Sequence, residues 1–391
     1  MGALRVEGGR NEGLQGWFSR PTSASWHTFD VQLVFYALAL AVVGLLIAWS
    51  NSAGAPLASG STFTRGLMWL ALAIIAFVGA AALDVRWLRT FGWLLYLVNI
   101  GLLVLTLAIG GGVGGVSRWV DIGGMQFQFS ELAKILMIIV LAGYLSSRRE
   151  SIGRLSTIVG AGLLMAPPFV LVMIQPDLGT ALVLVAIVAG MLFMSGASLR
   201  WLGVGLVGAL AMAPVVWSLL KDYQQRRLLS FLDPTADPQG SGWQVIQSQI
   251  AVGSGGLFGK GLTNGTQGAQ DFLPVASTDF AMAVLLEELG FVGGVVVLIL
   301  FIGLIWRVLV IGWRAEDLFG VAFAAGLASM ILFQLLVNLG MIMGIMPVTG
   351  VPLPFITHGG ASLVSIAVGL GILQSINMRR ARSDWSQAPG S

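Results

Sequence analysis

Cysteine is absent from this chain of 391 residues, and histidine occurs twice, as His27 and His358. Without thiols there is no disulfide, no thiolate metal site and no cysteine nucleophile, and two histidines are too few for a zinc site. Charge is scarce as well. Charged residues make up 10% of the chain, against about 25% in an ordinary soluble domain. Hydrophobic residues supply 56% and the mean hydropathy is +0.88, which excludes a soluble globular protein. The ~10-residue alternating segments of a transmembrane barrel are missing too. What the sequence has instead is continuous apolar runs of 17 to 20 residues, each about the ~20 residues that carry a helix across ~30 Å of hydrocarbon.

Ten such runs predict an all-α polytopic membrane protein, at 31–49, 66–83, 91–110, 131–146, 157–174, 179–196, 201–220, 280–312, 318–341 and 360–378. Arginine and lysine segregate by side: fourteen lie on one set of connections, among them Arg86, Arg89, Arg148, Arg307 and Arg379. Six lie on the other, namely Arg65, Arg118, Lys221, Arg226, Arg227 and Lys260, while Lys134 falls inside a run. The richer side is expected in the cytoplasm, so both termini point inward. The organisation expected is a cytoplasmic tail at 1–30, a ten-helix domain at 31–378 with a large extracytoplasmic loop at 221–279, and a basic tail at 379–391. An Ala-x-Ala at Ala53–Ala55 is not read as a signal cleavage site, because the apolar run before it is too long and follows 30 polar residues. The pI near 9.6 reflects this topology and gives no support for nucleic-acid binding.

The polar motifs crowd onto the outward connections: Arg118–Lys134, Gln175–Thr180, Lys221–Asp279 and Pro347–Ser362. Polar groups at membrane depth cost roughly 2.5–3.5 kcal/mol each at a helix centre, so chemistry is expected at the outer leaflet. Within the long loop, Trp243, Ile246 and Ile250 recur at helical spacing, which suits a helix lying in the interface or one that simply packs on the surface. Ser277-Thr278-Asp279 reads as a helix start whose side-chain oxygens cap free N–H groups and equally as a catalytic acid; the two are compatible. Ser254–Gly261 approximates a Walker loop but lacks its first glycine and the hydroxyl after Lys260, so no nucleotide is assigned. Gly290-xxx-Gly294 and Gly340-xxx-Gly344 read as close helix packing. Glu131 and Lys134, three apart, either pair with each other or meet substrate. Trp119 is an interfacial anchor or a sugar platform, Asp177 a cap or a ligand, and His358 a structural residue of a glycine-rich turn.

Taken in order, these segments resemble the SEDS family of peptidoglycan glycosyltransferases. They are Ser117-Arg-Trp-Val-Asp-Ile-Gly with Gln128-Phe-Ser-Glu-Leu-Ala-Lys134, Gln175-Pro-Asp-Leu-Gly-Thr180, Arg227-Leu-Leu-Ser-Phe-Leu-Asp-Pro, Gly253–Gly261, Phe272-Leu-Pro with Thr278-Asp-Phe280, Glu287-Glu-Leu-Gly-Phe291, and Pro347–Phe355. The likeness covers nearly the whole chain, and Gly259-Lys-Gly-Leu with Gly265-Thr-Gln is more similar to the elongation member RodA than to the division member FtsW. The chain departs from the family where Val275, Ala276 and Ser277 replace Glu-x-His, where Phe129 stands in Gln-Pro-Ser-Glu, and where Thr357-His358 stands in Ser-Tyr-Gly-Gly.

The resemblance implies polymerisation of lipid II during cell elongation, with undecaprenyl diphosphate leaving and the anomeric centre inverting. Asp279 is then the catalytic base. Inverting transfer needs one base on the face opposite the leaving group, and the departing diphosphate needs cations. Arg65, Arg118, Trp119, Glu131, Lys134, Asp177, Arg226, Arg227, Lys260 and Thr278 are the expected substrate-binding residues. A divalent cation, Mg²⁺ or Mn²⁺, with Glu131 or Asp177 nearby would share the task. The implied partners are lipid II, membrane lipid and a class B penicillin-binding protein, and the implied location is the bacterial cytoplasmic membrane with an extracytoplasmic site. The competing readings are a flippase or other transporter of lipid-linked precursor and a scaffold for a partner enzyme. A transporter should be polar deep in the membrane and on both sides.

Overall fold

A computed structural model describes residues 28–52, 56–58, 60–110, 118–122, 125–219, 224–225, 229, 231, 241–265, 280–357 and 359–386. Its helices are α1 Val31–Ser50, α2 Thr62–Ala82, α3 Val85–Thr90, α4 Gly92–Ile109, α5 Phe129–Ser147, α6 Leu155–Ile174, α7 Leu178–Met194, α8 Leu199–Leu219, α9 Ser241–Ser254, α10 Ala281–Trp313, α11 Leu318–Ile342 and α12 Gly360–Ser386. Each of the ten predicted runs lies on a helix. Among the described residues eight helices are long and apolar enough to cross a membrane; α7 and the Leu199–Met212 apolar stretch of α8 are shorter. Among the described residues the strands are those of one hairpin, β1 Val120–Ile122 with β2 Met125–Phe127, paired antiparallel with Asp121 opposite Gln126.

Helix starts follow capping chemistry. Asp30, Ser61, Asp177 and Asp317 each accept the N–H three residues on, satisfying a donor that helix geometry leaves free. In α6, Pro168 cannot donate to Leu164, and Tyr96 of α4 donates its hydroxyl to that released carbonyl at 3.1 Å. The α5 and α11 helices and the first 20 residues of α12 are the most buried. They form the centre, with α11 against α5, α7 and α10 and α12 against α2 and α5.

Ion pairs and polar contacts cluster at the two ends of the bundle. At one end Arg307 pairs with Asp30 and Arg89 with Asp317. Asp84 holds Arg86 at 2.8 Å and Arg379 at 3.5 Å, and Asn377 donates to Thr28 O. At the other end Ser50 meets Glu288, Lys260 meets Glu287 at 2.6 Å, and Arg118 donates to Gln175 O at 3.0 Å. Residues assigned to one side thus contact one another.

Burial works to raise the Asp84 carboxyl, but hydrogen bonds from Arg86 and the charges of Arg379 and Arg86 outweigh it and hold the group below its ordinary value. A lowered folded-state pKa stabilises above the unfolded value, about 3.9, and that contribution is lost as pH falls through the folded value. The melting temperature of the purified protein is therefore expected to drop on acidification below about pH 4, and Asp84→Asn should make that drop smaller. An unchanged acid limb in the variant counts against the clasp.

The longest helix, α10, is broken at Gly290, where φ is 67° and ψ −167°. The loop after α9 inserts there. Phe291 and Val292 donate to Gly256 O and Leu257 O at 2.9 and 3.0 Å, while Lys260 and Gly261 donate to Glu287 O and Glu288 O, both at 3.0 Å. A Cβ on Gly290 would stand 2.3 Å from Gly259 N. This corrects the packing reading of Gly290, and of Gly344, whose φ is 72°: both supply backbone conformations that other residues adopt at a cost. Gly290→Ala is expected to lower the melting temperature by several degrees, at roughly 1–3 kcal/mol for a strained backbone. Gly203→Ala, where a Cβ meets nothing within 4 Å, serves as the control.

Candidate active site

Two motifs far apart in sequence form one knot at the end of the bundle that carries Lys260. The hairpin delivers Gln128 to the start of α5, and Asp177 caps α7. The Asp177 carboxylate, 3% exposed, accepts from Thr180 N at 3.1 Å, Thr180 Oγ1 and Gln128 Nε2 at 2.9 Å, and Ser130 Oγ at 3.5 Å. Gln175 donates Nε2 to Leu103 O at 2.9 Å, and its own carbonyl takes Arg118. Four donors leave Asp177 little capacity for substrate. Its observed role is the capping one.

One turn into α5, Lys134 Nζ lies 2.8 Å from both carboxylate oxygens of Glu131, and both residues are 2% exposed. Removing such charges from water is affordable only with a close partner. A third group stands around the α10 break: Lys260 with Glu287, and Glu288 with the Ser50 hydroxyl, which also accepts Thr263 N at 3.0 Å. A Cβ on Gly265 would lie 3.2–3.3 Å from atoms of both carboxylates, so the loop runs close over them.

A cleft of about 770 Å³ opens among α1, α2, the hairpin and the segment leading into α12. Arg65, Trp69, Trp119, Asp121, Gln126 and Thr357 line it. Of the expected substrate-binding residues it brings together Arg65 and Trp119. Arg118 and Asp177 share the knot, Glu131 and Lys134 form their own pair, and Lys260 sits at the α10 break. Asp279, Thr278, Arg226, Arg227 and His358 lie outside the described residues. The α10 helix begins at Ala281 with buried Phe280 at its cap position and no side-chain cap, slightly later than Ser277-Thr278-Asp279 suggests. Sequence reading missed Ser50, Trp69, Asp121, Gln126 and Thr357, which carry no local signal beyond polarity at a span end.

As metal ligands, Glu131 and Asp177 do not fit: each is committed to the partners just named. Among the described residues no three His, Cys, Asp or Glu side chains gather for a metal.

The profile of the FtsW/RodA/SpoVE cell cycle protein family matches residues 31–382. The chain belongs to the SEDS family. Peptidoglycan glycosyltransferase MrdB of Escherichia coli K12 is 40% identical over 355 residues, 90% of this chain and 94% of that protein. Stage V sporulation protein E of Bacillus subtilis is 38% identical over 89% of this chain and 96% of its own. Among solved structures, a chain of a peptidoglycan synthase complex that coordinates polymerisation and crosslinking is 36% identical with a TM-score of 0.78, covering 91% of this chain and 99% of that one. Rod shape determining protein RodA of Thermus thermophilus is 30% identical with a TM-score of 0.68, covering 91% and 98%. This SEDS protein therefore shares its membrane-helical architecture with relatives over nine-tenths of its length, and the knot, the Glu131–Lys134 pair and the Lys260–Glu287 pair all fall within the matched region.

Proposed function

We infer that this SEDS protein is a peptidoglycan glycosyltransferase that polymerises lipid II into glycan strands for cell elongation. The observation that carries the reading is the nearly full-length likeness to proteins named for that activity. A protein of this composition works in a membrane, and the arginine bias supports ten crossings of the cytoplasmic membrane with both termini inside and the site at the outer face.

Asp279 stands immediately before the buried start of α10 and acts as the base. It takes the proton of the acceptor sugar hydroxyl while that oxygen attacks the donor anomeric carbon. The bond to undecaprenyl diphosphate breaks, and the configuration inverts. Diphosphate needs no protonation to leave, so a second carboxylic acid is unnecessary; cations such as Arg65, Arg226 and Arg227 stabilise the growing negative charge. A divalent cation, Mg²⁺ or Mn²⁺, would neutralise charge on the diphosphate itself, the usual role of Mg²⁺ beside phosphates. A class B penicillin-binding protein is the proposed partner, since a related chain belongs to a complex that couples polymerisation to crosslinking.

The test is purified full-length protein, with and without that partner, given lipid II and a divalent cation. Glycan strands on a gel support the polymerase. Movement of lipid II across liposomes with no strands under any condition favours the transporter instead.

A further inference from the structure

One ion pair of this charge-poor chain lies where bulk solvent does not reach. Glu131 and Lys134 of α5 are buried, and they meet through both carboxylate oxygens. An ammonium carries three N–H donors and a carboxylate about four acceptor positions, so this contact alone saturates neither group. Two further polar side chains are equally buried. Gln334 of α11 is 1% exposed and Ser365 of α12 is 2% exposed. Both ends of the Gln334 amide, and the Ser365 hydroxyl, have no hydrogen-bond partner among the described residues.

Their places along the helices bring them to the ion pair. A Cβ on Gly369 would stand 3.0 Å from Ile135 Cδ1 and 3.0 Å from Leu327 Cδ1, so α5, α11 and α12 meet at that level. The α5 and α12 helices run from the end that carries Lys260 toward the end that carries Arg307, and α11 runs back. Glu131 stands four residues before Ile135, Ser365 four before Gly369, and Gln334 seven after Leu327. At 3.6 residues per turn, each keeps to the face of the residue it is counted from. All three therefore open into one seam, about 6 to 10 Å nearer the Lys260 end at ~1.5 Å per residue.

Polar groups continue along the seam toward that end. Asn338, one turn beyond Gln334, donates Nδ2 to Val351 O at 3.3 Å. The carbonyl of buried Thr349 lies 2.7 Å from a Cβ placed on Gly179, two residues after Asp177. A column of polar side chains thus links the ion pair to the Asp177 knot.

An amide among apolar helices costs free energy unless its donors and its acceptor are met. Turning the Gln334 amide end for end does not help, because oxygen and nitrogen both lack a partner. The seam mixes donors with acceptors, and its two formal charges cancel, which favours a neutral ligand over an ion. Water fits, since one molecule both donates and accepts, and buried waters make about three bonds to polar groups the protein leaves over.

We propose that the seam between α5, α11 and α12 binds a small group of ordered waters, held by Gln334, Ser365 and the Glu131–Lys134 pair. Gln334 and Ser365 are then positioning residues that orient the pair through water. The site does not depend on the polymerase reading: strand synthesis can fail with the waters in place, and an active enzyme can lack them.

Radiolytic footprinting detects such water, because hydroxyl radicals formed from it by an X-ray pulse oxidise adjacent side chains that bulk solvent never reaches. With full-length protein in nanodiscs, oxidation is expected at Ile135 and Leu327. Met191 is the control. It is as deeply buried, with its sulfur 2.8 Å from a Cβ placed on Gly326, and it should stay unmodified although sulfur is the more reactive target. Ser365→Ala should lower the seam signal severalfold, and Ser365→Thr, which restores the hydroxyl, should recover it. Signal at Ile135 and Leu327 no greater than at Met191, or unchanged in Ser365→Ala, overturns the proposal.

Gln334→Met gives opposite signs for the two possibilities. If the amide stands without water, removing its orphaned atoms raises the melting temperature; with water bridging it to the pair, the melting temperature falls. That fall should vanish when Glu131→Leu and Lys134→Met are also present, since no charge is left to hydrate. A higher melting temperature in Gln334→Met alone, or an equal fall in both backgrounds, overturns the positioning role. The footprints of the parent and of Ser365→Ala decide the water site whether or not Gln334→Met folds.

Discussion

Asp279→Asn is expected to abolish strand synthesis from lipid II, with a rate at least 10²–10⁴-fold below the parent, the usual contribution of a positioned base. The substitution keeps size and hydrogen-bonding capacity, so the effect should appear in turnover with little change in melting temperature. Its sequence neighbour Phe280 is fully buried, and the following residues of α10 pack deep in the bundle. The measurement is polymer length and yield on a gel from equal amounts of monodisperse protein. Undiminished polymer would remove Asp279 as the base and send the search to Glu287 and Glu288.

The second large effect concerns the buried pair in α5. Lys134→Met should leave Glu131 uncompensated where it is 2% exposed, at about 3–5 kcal/mol. Native proteins have only 5–15 kcal/mol in total, so folded yield from membranes should collapse. Glu131→Leu combined with Lys134→Met removes both charges and should recover most of that yield, because replacing a buried pair with apolar residues is often neutral or stabilising. Polymerisation by the rescued double variant would identify the pair as structural. A folded double variant without activity would show that the pair also contacts substrate, the role suggested by the family likeness. Normal stability in Lys134→Met alone would contradict the buried-pair account.

These two cases differ in how far sequence reaches. The motif around Asp279 was legible as a string, and so was the three-residue spacing of Glu131 and Lys134, but only the fold shows that those two charges have each other and almost no water. Asp177 is similar. Its position before an apolar run predicts a cap, whereas the donation from Gln128, 49 residues away, becomes visible only when α5 and α7 are brought together.

By itself the sequence determined the helices and several of their starts. Transfer of apolar residues from water and N-terminal capping are local, nearly additive effects, readable within a window of twenty residues. Tertiary structure alone decided the break at Gly290, the two-stranded hairpin, the meeting of Ser50 with Glu288 and the cleft around Arg65. Each depends on close approach of segments distant in the chain, where steric fit and unsatisfied backbone groups choose the partner, and no local pattern records that choice.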